Sequence, residues 1–183
     1  MELMFLKTLT LENIRSYTQQ TIHFPEGVTL LSGDVGTGKS TILLAIEFAL
    51  FGLLKGMVHG ESLLRNGCSR GTVTLTFDLD GREIIIQRGL KRGSSVMQET
   101  GFLEIDKHKK DLGATDLKQH VLDLLQYPKE LLTKSKSIIY RYTVYTPQEE
   151  MKSILLGEDE HRFDVLRKVF GIDKYKRIQD NTL

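Results

Sequence analysis

A chain of 183 residues, 40% hydrophobic and 27% charged, has the make-up of an ordinary soluble globular protein with room for one domain and a small appendage. Its net charge of +1 excludes a chain that coats nucleic acid through bulk charge, though not one with a local basic face. The single cysteine, Cys68, excludes an internal disulfide or a cysteine zinc site and fits a reducing cytoplasm.

In chain order, Met4–Leu11 and Gln20–Phe24 read as strands, with Pro25-Glu26-Gly27 as a turn. Val28–Ser32 is a short apolar run expected to be a buried strand, and Ser40–Gly52 a helix that is apolar on nearly every side and so enclosed by the fold. Val73, Leu75, Phe77 and Leu79 alternate with polar residues, as do Ile84 and Ile86 after Asp80-Gly81, which predicts a hairpin. Gly101–Asp106 adds a strand, and Thr115–Gln126 a helix with Leu117, Val121, Leu124 and Leu125 at helical spacing. Ile138–Thr146 is strand-like up to Pro147. Helices follow at Glu149–Leu156 and Glu160–Phe170, the second carrying Phe163, Leu166 and Phe170 on one face before Gly171. Asp173–Asp180 is charged and helical in character. The longest apolar run, Ile42 to Leu54, is too short to span a bilayer and contains Glu47, and no signal peptide is evident at the N-terminus. A cytoplasmic protein with no membrane partner is expected.

Gly33-Asp34-Val35-Gly36-Thr37-Gly38-Lys39-Ser40 satisfies G-x-x-x-x-G-K-[ST] at every fixed position, between an expected strand and an expected helix. Glycines let the backbone turn its N–H groups inward on phosphates, and the amino end of the following helix adds its partial positive charge. Lys39 supplies a point charge for the β and γ phosphates of ATP, and the Ser40 hydroxyl is a Mg²⁺ ligand. The loop backbone from Gly33 through Val35, Gly36 and Thr37 to Gly38 completes the expected cradle.

Leu11-Glu12-Asn13-Ile14-Arg15-Ser16-Tyr17, ahead of this loop, resembles the opening of SMC-type and break-repair (Rad-type) ATPase heads, which are ABC-type P-loop proteins. Val144–Met151 is similar to that superfamily's Q-loop, and the Arg162–Tyr175 stretch to the base of its coiled coil. The resemblance implies an α/β fold, the N-terminal lobe of a P-loop NTPase head, with a mixed sheet and an antiparallel layer around the buried P-loop helix. It places the lobe over residues 1–172 and the start of a coiled-coil helix over 173–183. It brings Asn13, Arg15, Ser16, Thr41 and Gln148 to the nucleotide beside Gly36, Thr37, Gly38, Lys39 and Ser40, Gln148 as a second Mg²⁺ ligand on the γ-phosphate side, and Leu64-Arg65-Asn66 near the adenine. Val35 stands where these heads usually carry Asn, so a polar group beside the triphosphate is missing. Alternatives from the residues alone are an Arg15 that pairs with Glu12, a Gln148 that bonds backbone at a strand end, and tyrosines that pack rather than bind.

Hydrolysis in this class needs a Walker B strand ending in Asp-Glu and the signature L-S-G-G, and the chain carries neither. The resemblance puts both in a C-terminal lobe beyond a long coiled coil, and the chain stops where that coil would begin. The expected partners are therefore its own C-terminal ATPase lobe, a second head as homodimer, DNA, and a repair nuclease. Arg82, Arg88, Lys91 and Arg92, and separately Lys107-His108-Lys109-Lys110, are candidate phosphate-facing clusters for DNA, with a solvated rim as the plainer reading. Asp78-Leu79-Asp80-Gly81 spells the D-x-x-G of GTPases but falls at the hairpin turn. The competing functions are a self-contained P-loop kinase of small molecules, which needs an arginine-rich lid not visible here, and a nucleotide-gated chromosome scaffold with little turnover.

Overall fold

The structure, a computed structural model, describes residues 4–53, 60–126 and Phe163. The chain divides into two compact units, Met1–Gln126 and Tyr127–Leu183. The architecture below belongs to the first unit. The expected strand Ile138–Thr146, the helices Glu149–Leu156 and Glu160–Phe170, Gln148 and the division after residue 172 lie outside the described residues, apart from Phe163, which is helical and exposed.

The described residues of this unit form seven strands and three helices: β1 (Met4–Ile14), β2 (Tyr17–His23), α1 (Lys39–Phe51), α2 (Gly60–Leu63), β3 (Arg70–Leu79), β4 (Arg82–Arg92), β5 (Val96–Gln98), β6 (Gly101–Ile105), β7 (His108–Leu112) and α3 (Ala114–Leu124). The strands form one sheet in the order β2-β1-β3-β4-β6-β7, with β5 paired to the end of β4. Every strand pairing among the described residues is antiparallel.

Alternation decides which face is buried. In β3 the residues Val73, Leu75, Phe77 and Leu79 point inward while Thr72, Thr74, Thr76 and Asp78 stay half-exposed. The register aligns Leu9, Leu75, Ile86 and Leu103 across four strands, and Leu11, Val73 and Arg88 across three. Helix α1 packs on this inner face and α3 packs on α1 and β6. Ala45 through Phe51 are all buried, as expected of a helix apolar on nearly every side. Each fully buried Leu, Ile or Phe contributes about 1.5–3 kcal/mol. The hairpin closes where the sequence places it: the Gly81 amide donates to Asp78 Oδ1 at 2.8 Å, so Asp78–Gly81 is a turn and not a nucleotide motif.

Two expectations are corrected. Val28–Ser32 forms no strand among the described residues, and Val28 and Leu30 are exposed. A strand needs a partner for its amides and carbonyls, and among the described residues β1 is already paired to β2 on one side and β3 on the other, while no other strand pairs with Val28–Ser32. The second strand begins at Tyr17 rather than Gln20, because Ile14 pairs with Tyr17 across a two-residue turn. Strands β5 and β7 and the short α2 carry too few apolar residues to be read from the sequence.

Candidate phosphate site

The loop from Gly33 to Ser40 leads into α1. Gly36 and Gly38 have φ of 87° and 95°, backbone conformations that L side chains rarely adopt, and this lets the loop curl. Gly38 is the N-cap of α1, makes no side-chain capping bond, and is followed by no acidic residue in the first turn. The positive end of the buried helix is therefore not neutralised from within α1.

Lys39 Nζ donates to the carbonyls of Gly33 and Asp34, each at 2.7 Å, and approaches Thr37 Oγ1 at 3.3 Å. The Thr37 hydroxyl donates to the Asp34 carbonyl at 2.9 Å. The ammonium thus lies on the loop, turned onto loop oxygens. Ser40 is exposed in the first turn of α1, whereas Thr41 is buried, its amide donating to the Gly38 carbonyl at 2.9 Å. Val35 is fully exposed at the loop.

The β1–β2 turn packs against this loop. A Cβ on Gly38 would lie 2.9 Å from Ser16 Oγ and 2.9 Å from both Cε2 and the hydroxyl of Tyr17. Asn13 and Arg15 hold left-handed φ of 53° and 48°, which shapes the turn. Arg15 Nε donates to the Ser62 carbonyl at 2.8 Å and the Arg15 amide to the Leu63 carbonyl at 2.9 Å. Glu12 instead accepts a hydrogen bond from the Thr72 hydroxyl at 2.8 Å, so Arg15 and Glu12 do not pair.

The 64–66 segment meets the same turn from the other side. Leu64 bridges to Ile14 and is buried, so its side chain belongs to the core. The Arg65 amide donates to the Asn13 carbonyl at 2.9 Å, and Arg65 Nη1 donates to the carbonyls of Ser16 at 2.7 Å and Arg15 at 3.2 Å. Asn66 is exposed. The structure therefore brings together Asn13, Arg15, Ser16, the P-loop and, through Arg65, the 64–66 segment. Gln148 lies outside the described residues.

Tyr17 lies outside the expected site residues, and the β1–β2 turn places it against Gly38. The inward position of Arg88 was legible, since it continues the period-two series Ile84 and Ile86. Its assignment to a DNA-facing cluster is corrected: Arg88 is 0% exposed. Arg92 in the same cluster donates to Glu61 Oε2 at 3.0 Å and to the Cys68 carbonyl at 3.1 Å. Arg82, Lys91 and Lys107–Lys110 are exposed, with Lys109 Nζ 4.0 Å from the centre of the Phe102 ring. Among the described residues no group of three or more His, Cys, Asp or Glu is placed to hold a metal, and no helix is long and apolar enough to cross a membrane.

The model of a family described as AAA domain matches residues 8–182. A DNA double-strand break repair Rad50 ATPase of Thermoplasma acidophilum is 30% identical over 97% of this chain and 19% of its own length. The Rad50 ATPase of Methanococcus maripaludis is 25% identical over 97% of this chain and 17% of its own. The chain therefore spans less than a fifth of the length of these curated relatives. A solved chain from work on ATP-driven dimerization and DNA-stimulated activation of SMC ATPases shares the fold with a TM-score of 0.63 at 17% identity, covering 90% of this chain and 99% of that one.

Proposed function

Because the chain belongs to the AAA domain family and has the α/β fold of an SMC/Rad50-type P-loop head N-terminal lobe, we propose that it binds ATP on behalf of a head that acts in DNA double-strand-break repair. The observation that supports this reading most directly is the meeting of three parts at one place: the glycine loop, the amino end of buried α1, and the Ser16-Tyr17 turn against Gly38. The residues fit a polyphosphate. The loop is exposed and nothing lies within 4 Å of where a Cβ on Gly36 would stand, so backbone can approach a ligand closely there.

In this reading the backbone of Gly33, Val35, Gly36, Thr37 and Gly38, with Lys39, Ser40 and Thr41, holds the phosphates, and Asn13, Arg15 and Ser16 border them. Arg65 and Asn66 stand on the adenine side, with Leu64 packing beneath. Ser40 and Gln148 would hold Mg²⁺, which would supply charge neutralisation to the phosphates. Lys39 exchanges its loop carbonyls for phosphate oxygens, a stronger charge-assisted partner. Turnover would draw on a C-terminal lobe with the signature and Walker B elements. ATP would pair this head with a second one, on DNA and beside a nuclease.

Calorimetric titration of Mg-ATP into wild type and Lys39→Ala tests the reading. Wild type is expected to bind and the variant to lose binding. Its melting temperature should hardly change, because the carbonyls that Lys39 touches are exposed and water replaces the ammonium. Equal ATP affinity in the two proteins would remove the proposal's main support.

A further inference from the structure

The sheet grips α1 at both ends. At the amino end the β1–β2 turn sets Ser16 and Tyr17 against Gly38. At the carboxyl end a side chain from β4 reaches in: Arg88 Nε donates to the Ala49 carbonyl at 2.7 Å and Nη2 to the Leu50 carbonyl at 3.1 Å. These are last-turn carbonyls with no partner inside the helix, and α1 has no basic residue of its own in that turn. Arg88 therefore supplies from another strand both the hydrogen bonds and the positive charge that a helix C-terminus favours.

The fit around the guanidinium is close. Gly52 ends the helix with φ of 74°, and a Cβ there would lie 3.3 Å from Arg88 Nη1 and 2.7 Å from Gln98 Oε1. Nη1 itself makes no hydrogen bond, so the two helix carbonyls are what hold the group. Burial lowers the Arg88 pKa to about 10, which leaves the guanidinium charged at neutral pH. A cation kept in the core against its desolvation, when an aliphatic side chain continuing the Ile84 and Ile86 series would fill the space, asks for a role beyond packing.

We propose that Arg88 is a positioning residue of the phosphate site, acting through α1: it fixes the helix at Ala49 and Leu50 and so fixes where Gly38 and Lys39 stand against the Ser16-Tyr17 turn. The lever runs from Leu50 back to Gly38, about 18 Å along a helix rising ~1.5 Å per residue. Both grips stand on one sheet: Arg88 of β4 is aligned with Val73 of β3 and Leu11 of β1, all fully buried, and β1 runs on from Leu11 to Ile14, where the Ser16-Tyr17 turn begins. A tilt or slip at the carboxyl end is carried toward the loop because α1 is buried without a break from Ala45 to Phe51 and, on its inner side, at Thr41 and Ile42, so it moves as a rod rather than absorbing the change locally. The inference rests on the phosphate-site reading above for its function, but its geometry is tested separately.

The experiment compares wild type, Arg88→Lys and Arg88→Met as the whole 183-residue chain. Amide resonances of Gly36, Gly38 and Lys39 are recorded without nucleotide, and ATP is then titrated calorimetrically well below each protein's melting temperature. Lys retains the charge but not the two-pronged fork that spans both carbonyls. The expected result is a displacement of the loop resonances in both variants, with ATP affinity about tenfold lower in Arg88→Lys and lower still in Arg88→Met. If resonance changes stay at Ala49–Gly52 and β4, and ATP affinity is retained while only the melting temperature falls, Arg88 is a structural cap and the proposal is overturned. Should Arg88→Met fail to fold, Arg88→Lys alone decides by the same two measurements. If wild type fails to bind ATP, the phosphate-site reading fails, and the loop resonances still decide whether Arg88 positions the loop.

Discussion

Replacing Gly38 by Ala tests the contact between the P-loop and the β1–β2 turn. At φ of 95° an L residue is strained by about 1–2 kcal/mol. The added methyl also meets Ser16 Oγ, Tyr17 Cε2 and the Tyr17 hydroxyl, all at 2.9 Å. Ser16 can rotate its hydroxyl away at little cost, whereas the half-buried Tyr17 ring must swing out and lose packing of about 1 kcal/mol. The total, about 2–3 kcal/mol, corresponds to roughly 30- to 150-fold weaker ATP binding if the exposed loop yields instead of the core. Tyr17→Ala in the Gly38→Ala background removes the collision and should return about 1 kcal/mol, a coupling visible in a double-mutant cycle. Calorimetry of ATP binding to the four proteins gives the cycle, with thermal unfolding as the check on folding. Additivity to within about 0.5 kcal/mol would refute the claim that Tyr17 and Gly38 form one surface.

Two further outcomes bear on the site's margins. Arg65→Ala removes the hydrogen bonds to the Ser16 and Arg15 carbonyls and should cost about 1 kcal/mol, read as a melting temperature lower by several degrees and a few-fold weaker ATP binding. No change in either would mean that the turn holds its shape without Arg65. If Gln148 stands beside the γ-phosphate as proposed, Gln148→Ala should leave ATP affinity of this chain nearly intact but weaken ATP-driven pairing of heads that carry a C-terminal lobe, since an uncharged amide there would sense the nucleotide and carry little of its binding. Light scattering with a slowly hydrolysed ATP analogue measures this, and undiminished pairing would leave Gln148 a plain strand-end residue.

The sequence by itself determined whatever depends on local pattern. Alternation in Val73–Leu79 and Ile84–Ile86 with Asp80-Gly81 between them specified the hairpin, because a period of two leaves one register that buries one face. The apolar run after Lys39 specified a helix, buried without a break from Ala45 to Phe51, and the glycine spacing with Lys39 and Ser40 carries the expectation of a phosphate loop. The tertiary structure alone decided what depends on partners distant in sequence. Val28–Ser32 has the composition of a buried strand, yet a ladder needs a second strand brought alongside, and that is a property of the sheet and not of the run. Arg88 looked like one of several cations on a basic hairpin. Only the approach of α1 to β4 turns its guanidinium toward the Ala49 and Leu50 carbonyls, because charge in a sequence says nothing about which acceptors a fold leaves unsatisfied nearby. Tyr17 likewise gains its place against Gly38 from a two-residue turn that aligns Ile14 with itself, a closure fixed by strand pairing and by no feature of the residue.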